Sequence, residues 1–506
     1  MNISCKIETK IFKKLGYIHL VFEIISRDKI DEVIKSKSKK IPVKGLSKST
    51  FEEIKERLGR YHEITKTFII ERNYVDREWR EEYSLFYSTT FHEEIGKFAT
   101  RIHLISEDVS DVEDVEERNY LGYIVLRPDI VPLRVLKIIL KPIKEFFGVR
   151  SGEEMYLCTC TFTPHLGGRE FKIETFPFYS QDSMVTVCAH ASVWMVLYYL
   201  YKKFNMNRPY LRNLVAHIPP YHGRVIPSEA LDTEQIVLSL VSNGYAVSLK
   251  AFSPTESESC VNRVEAYLES GLPTILLFDD HAVVVAGHTL NDGEERDWII
   301  YDDSGHHLKR FEGTNQFAYR VEKEKIKRRI ENSSITLIGK ILENSLGLEV
   351  VKDKTPNVLT VNIEFERLYF PIESVYDAIK RVFEEKLKIV PTKRVRVLLV
   401  NSSRFKSLCR KNGVLIFENV HMPHYIWLIE FYDDNNELTA EMIIDAAAHK
   451  FDVRFGSCIM ALWDYDQINL YRPYKKFIKV KPPIQFSNLE RVKSIKELEL
   501  GGVKIV

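Results

Sequence analysis

Cysteine is scarce in this chain: Cys5, Cys158, Cys160, Cys188, Cys260, Cys409 and Cys458 are all it has in 506 residues. An odd, scattered set argues against a disulfide framework and for a reducing compartment. Charge of one sign is also missing, because 72 Lys and Arg against 71 Asp and Glu leave a net +1. No global field therefore draws in nucleic acid or an anionic membrane. No apolar run approaches the ~20 residues of a membrane helix. The opening stretch MNISCKIETKIFKKLGYIHLVFEII breaks its apolar residues with charge and has no small-residue cleavage site. It reads as strand rather than signal peptide. Phosphate-binding glycine loops, tandem repeats and low-complexity tracts are absent. The expectation is a soluble, cytoplasmic chain with no cofactor, no nucleic-acid partner and no membrane partner.

What is present is a globular composition, 45% hydrophobic and 28% charged, in a chain too long for one ordinary core. The order of elements predicts a multidomain α+β protein. Residues 1–150 form one mixed α+β domain, 151–330 a central domain and 331–506 a second mixed domain. Ser49 with Glu52 predicts a capping box opening a helix. The Gly167-Gly168 pair predicts a turn between strands. LPTILLFDD, HAVVVAGHTL and WIIYDDSG read as three apolar strands, the last two joined by a turn at Asp292-Gly293. The charged run from Lys309 to Arg329 reads as an exposed helix or connector, and LTVNIEFERLYF as a strand of the last domain.

The chain is organised around FPFYSQDSMVTVCAHASVWMVLYYLYKKF, residues 176–204. A polar loop turns at Cys188 into a run with Ala191, Trp194, Met195, Tyr198 and Tyr201 at helical spacing, a buried face. Cys188 then sits at a helix N-terminus, where unpaired N–H groups and the helix dipole favour a thiolate, the form that attacks a carbonyl. One loop earlier, Gln181 is placed to donate to a developing oxyanion. A cysteine in an aromatic helix is commonly a small core residue; a histidine and an aspartate farther along the chain set this one apart.

His281 opens a strand 93 positions after Cys188, and Asp302 closes the next strand 21 positions later. A hairpin brings such residues side by side. The carboxylate would then fix the tautomer of the imidazole while the other ring nitrogen faces the thiol. Adjacent strand residues face opposite ways, so only one of Asp302 and Asp303 is expected to reach His281, and Asp302 is favoured. His288 faces the other side, and His190, about 200° round the helix from Cys188, is expected to be packed or hydrogen-bonded. His306 and His307 read as surface residues. Cys158 and Cys160, near His165, fall short of zinc-ligand spacing and predict a shared buried face. His424 and Asp445 repeat the 21-residue interval without a helix-start cysteine before them.

Gln181, the helix CAHASVWMVL, the phrase GLPTILLFDDHAVVVAG and the strand end IIYDDSG resemble the papain-like cysteine peptidases. The nearest branch is the bacterial one that includes bacteriocin-leader-processing (double-glycine leader) peptidases. The resemblance covers residues 175–315. It implies a papain-like core in which a catalytic helix packs on an antiparallel sheet. It also implies Cys188 as nucleophile, His281 as general base, Asp302 as orienting acid and Gln181 as oxyanion donor, acting on a peptide or protein substrate. The family carries glycine where Ala189 stands, and its glutamine six rather than seven positions before the cysteine, so the loop bulges or Asp182 occupies that place. Two alternatives share this reading: a transglutaminase or acyltransferase using the same triad, and a catalytically inactive recognition scaffold.

Overall fold

The computed structural model describes residues 22–35, 46–90, 95–128, 131, 134–216, 231, 233–278, 281–290, 297–303, 316–332, 358–364, 372–385, 394–433, 435, 437–448, 458–464, 467–470, 476–479, 485–487 and 490–491. Cys5, the Asp292-Gly293 turn, His306 and His307 lie outside them.

Helices combine with antiparallel sheets, an α+β architecture. The first sheet runs in the order Phe22–Ser26, Thr67–Tyr74, Ala99–Ile105, Tyr120–Leu126, Val135–Leu140 and Phe178–Tyr179. Its last strand comes from the loop leading to Cys188, so the sheet reaches past position 150. The helix Lys48–Leu58 begins two residues earlier than the Ser49/Glu52 pattern suggests. Ser47 is the cap, its Oγ accepting from the Thr50 N–H at 3.3 Å while Thr50 Oγ1 accepts from the Ser47 N–H at 3.3 Å. Threonine thus fills the reciprocal role usually given to Glu. Gly167 and Gly168 take φ of +59° and +83° between the short strands His165–Leu166 and Arg169–Glu170, as a primed hairpin turn requires.

The central sheet has the order Ala246–Phe252, Val358–Glu364, Thr274–Phe278, His281–Leu290, Trp298–Tyr301 and Ala318–Val321. Glu154–Leu157 adds to the far half of the His281 strand, pairing Gly287 with Leu157. A Cβ at Gly287 would run into the Tyr156 carbonyl oxygen, so glycine permits this close approach. Two expectations are corrected here. Val358–Glu364, assigned to the last domain, is inserted between two strands of the central sheet. The 309–329 stretch is not simply an exposed connector. Within its described part Phe317 is buried, Ala318–Val321 forms the strand beside Trp298–Tyr301 with Ala318, Tyr319 and Val321 buried, and a helix starts at Lys323. Apolar residues inside a charged run marked this strand, but the net charge masked them.

The third sheet has the order Arg394–Asn401, Tyr425–Tyr432, Leu438–Asp445, Ile459–Asp464, Gln467–Leu470 and Lys476–Lys479. Val397 and Leu399 belong to the large core shared with the other sheets, and Leu398 and Val400 to a smaller one on the opposite face. Alternation along the strand produces this division. His424 lies just before the strand Tyr425–Tyr432, and Asp445 ends the antiparallel neighbour, with Ile426 opposite Asp445. Among the described residues no helix is long and apolar enough to cross a membrane.

Candidate active site

Cys188 is the first residue of the helix Cys188–Phe204, as the sequence predicts. The helix differs from the expected one-sided pattern. From Ala189 to Leu200 every side chain except Tyr198 is buried, because the helix lies between sheets instead of on a surface. Its start is fixed by His190, whose Nδ1 accepts the Val187 N–H at 3.2 Å. Burial holds the His190 ring at a pKa of about 4, which keeps it neutral and able to accept. Cys188 itself is half-buried, whereas Cys158, Cys160, Cys260, Cys409 and Cys458 are buried. Burial pushes Cys158, Cys260 and Cys409 up to about 12 and raises Cys160 as well. Cys158 and Cys160 thus share a buried setting, as expected.

His281 sits at the mouth of the hairpin with Thr274–Phe278, paired opposite Phe278. The Asp302 Oδ1 accepts from its Nε2 at 2.8 Å, and Tyr319 donates its hydroxyl to Asp302 Oδ2 at 2.6 Å. Both carboxylate oxygens are therefore committed, which fixes the acid and through it the ring. Burial opposes a charge on His281. The Asp302 charge and hydrogen bond outweigh it, with Cys188 adding in the same sense, and the pKa stands well above the ordinary histidine value. The remaining ring nitrogen, Nδ1, is buried and has no oxygen or nitrogen partner. With Nε2 spent on Asp302, Nδ1 is the atom left for the sulfur.

Asp303 does not turn away, as strand alternation had suggested. The strand ends at Tyr301, and beyond it the pleat no longer dictates direction. His281, Asp302 and Asp303 each bring a ligand atom within 4.8 Å of the others. That trio is of a type that can hold a cation. In the 2.8 Å hydrogen bond to Asp302, however, His281 Nε2 carries a proton and so has no lone pair to offer a metal. The Asp303 Oδ2 accepts the Gln181 backbone N–H at 3.1 Å, while Oδ1 is buried without a partner. Burial pushes Asp303 up to about 6, against the pull of His281. Arg57, from the first region, donates to the Asp303 carbonyl oxygen at 3.5 Å.

Gln181 is buried beside this cluster. Between it and Cys188 the chain makes a tight turn: Asp182 Oδ1 accepts from the N–H groups of Met184, Val185 and Thr186 at 2.8–3.1 Å, with Ser183 at φ +63°. Tyr87 donates to Asp182 Oδ2 at 2.8 Å. Behind the turn, fully buried Arg127 bonds both oxygens of Glu82 at 2.7 Å, the Ser180 carbonyl at 2.5 Å and the Val135 carbonyl at 3.0 Å. The loop before Cys188 is thus braced by residues of the first region. Asp182, holding a ring of N–H groups, is an acceptor and is unavailable as an oxyanion donor.

His288 is buried on the other side, its Nδ1 bonded to the Thr289 carbonyl and its Nε2 3.1 Å from Glu269, as a structural histidine would be. Sequence reasoning missed Tyr319, turned Asp303 away from His281 and gave Arg57 no role. The first lay hidden in the charged run, and the other two depend on chain reversals that no local pattern encodes. The chain matches no protein-family model and no curated protein.

Proposed function

We propose that the protein is a papain-like thiol hydrolase that cleaves a peptide or isopeptide bond with Cys188, His281 and Asp302. The observation that carries this reading is the His281–Asp302 hydrogen bond of 2.8 Å on a ring whose other nitrogen is left for a helix-start cysteine. In the first step the Cys188 proton passes to His281 Nδ1 and the sulfur bonds to the substrate carbonyl carbon. The tetrahedral oxyanion then collapses, the C–N bond breaks, and the leaving amine takes the proton from His281. Water, deprotonated by His281, attacks the thioester, releasing a carboxylic acid and restoring the thiol. Asp302 stays ionised throughout and steadies the imidazolium. Gln181 completes the reading as the oxyanion donor.

The test is alkylation of the full chain by iodoacetamide across pH, read by peptide mass mapping. Cys188 should react before Cys158, Cys160, Cys260, Cys409 and Cys458, and keep reacting well below the ordinary thiol pKa of about 8.5. Asp302→Asn should abolish that low-pH reactivity. Reaction of Cys188 with the pH profile of an ordinary thiol would instead support an inactive scaffold.

A further inference from the structure

We propose that Asp303 is a positioning residue, whose carboxylate sets the candidate oxyanion donor in register with the reacting pair; this rests on the function proposed above. Asp303 follows Asp302 directly, so the acid that orients His281 and the acid that holds Gln181 share one stretch of backbone. A shift of the Gln181 loop relative to His281 is therefore resisted at both ends. From below, the Asp302 N–H bonds to the Phe317 carbonyl at 3.1 Å, and Arg57 caps the Asp303 carbonyl. The 182–186 turn, closed by its own aspartate, places the bend after Gln181 and leaves Gln181 itself to be located by Asp303.

A carboxylate with full burial and one unpartnered oxygen is a costly way to hold a single N–H. An uncharged acceptor would do so more cheaply if holding were only a matter of stability. Its place within reach of His281 makes the cost intelligible. The same group that fixes the donor adds negative charge beside the imidazolium. Substrate acylation needs both the ion pair and the donor, whereas simple alkylation of the thiol needs only the ion pair.

Two probes separate these contributions. Iodoacetamide transfers a carbon to sulfur with loss of iodide and forms no oxyanion. With p-nitrophenyl acetate the sulfur–acyl bond forms, the aryl ester C–O bond breaks and p-nitrophenolate leaves, through a tetrahedral oxyanion. Asp303→Ala removes both the charge and the tether. It should lower the ratio of acylation to alkylation at Cys188 by roughly tenfold or more, since one oxyanion donor is worth about 10²–10³. Asp303→Asn keeps an oxygen to accept the Gln181 N–H, and should restore the ratio even where both rates fall. Gln181→Ala should match Asp303→Ala, and the double variant should lose nothing further. If Asp303→Ala does not fold, Asp303→Glu, which displaces the same backbone, gives the same readout. An unchanged ratio in Asp303→Ala or Asp303→Glu overturns the assignment while leaving the triad intact. Equal labelling of wild type and Cys188→Ala would remove the triad itself.

Discussion

Ser192, one turn into the central helix, donates its hydroxyl to the carbonyl of Ala282, the neighbour of His281, at 3.1 Å. This bond locks the helix that starts at Cys188 to the strand that starts at His281. Both residues are buried. A helix–strand contact one turn behind the sulfur and the imidazole thus ties their two elements together. Ser192→Ala removes the tie without adding bulk. It should cost about 0.5–1.5 kcal/mol of stability and lower the Cys188 alkylation rate. Thermal melting and alkylation on the same preparation check this; a loss of stability with an unchanged rate would show that the bond does not position the site.

The His281–Asp302 pair makes stability depend on pH. Because the folded-state pKa of His281 is raised, the native protein keeps a proton that the unfolded chain releases above about 6.5. The contribution is fully present below that value and is lost as pH rises through the folded pKa. Asp302→Asn should lower the melting temperature near pH 6 and flatten its decline above pH 6.5. Tyr319→Phe, which removes one bond to Asp302, should do so more weakly. Melting curves from pH 6 upward test both.

Arg127 and Glu82 form a buried, two-pronged pair whose guanidinium also holds the Ser180 and Val135 carbonyls. Removing the arginine strands a buried carboxylate, at a cost of about 3–5 kcal/mol. Arg127→Met should therefore destabilise the protein strongly. Arg127→Lys should rescue it only in part, since an ammonium cannot span both Glu82 oxygens and two carbonyls. Denaturant melts of the three proteins decide the order.

Glu441 is an acid to which the fold offers no hydrogen-bond partner. It lies opposite Glu430 on the neighbouring strand, fully buried, and neither of its oxygens has a partner. Burial, with the Glu430 charge, raises its pKa well above the usual carboxylate value. The native state thus keeps a proton that the unfolded chain loses above about 4.3. Stability contributed here falls as pH rises from that point. Glu441→Leu should gain about 1–3 kcal/mol near neutral pH and reduce the alkaline decline. A variant less stable than the parent at pH 7, in urea melts, would mean that Glu441 has a partner in solution.

Much of this was legible in residue order. Helical spacing after Cys188 placed a helix start, and runs of β-branched residues placed strands at His281 and before Asp302, because both signals depend only on near neighbours. Favouring Asp302 over Asp303 for His281 agrees with the observed hydrogen bond, although alternation said only that one of the two would reach it. The same rule then gave the wrong direction for Asp303, since it does not extend past the last paired residue.

Residue order alone dictated which positions could begin a helix or line a strand. It took the folded chain to carry Val358–Glu364 into the central sheet, to close Tyr319 on Asp302 and to set Asp303 against Gln181. Those contacts join positions 17 to 122 residues apart. They are fixed by which strand edges and buried polar atoms remain unsatisfied once the local elements have formed.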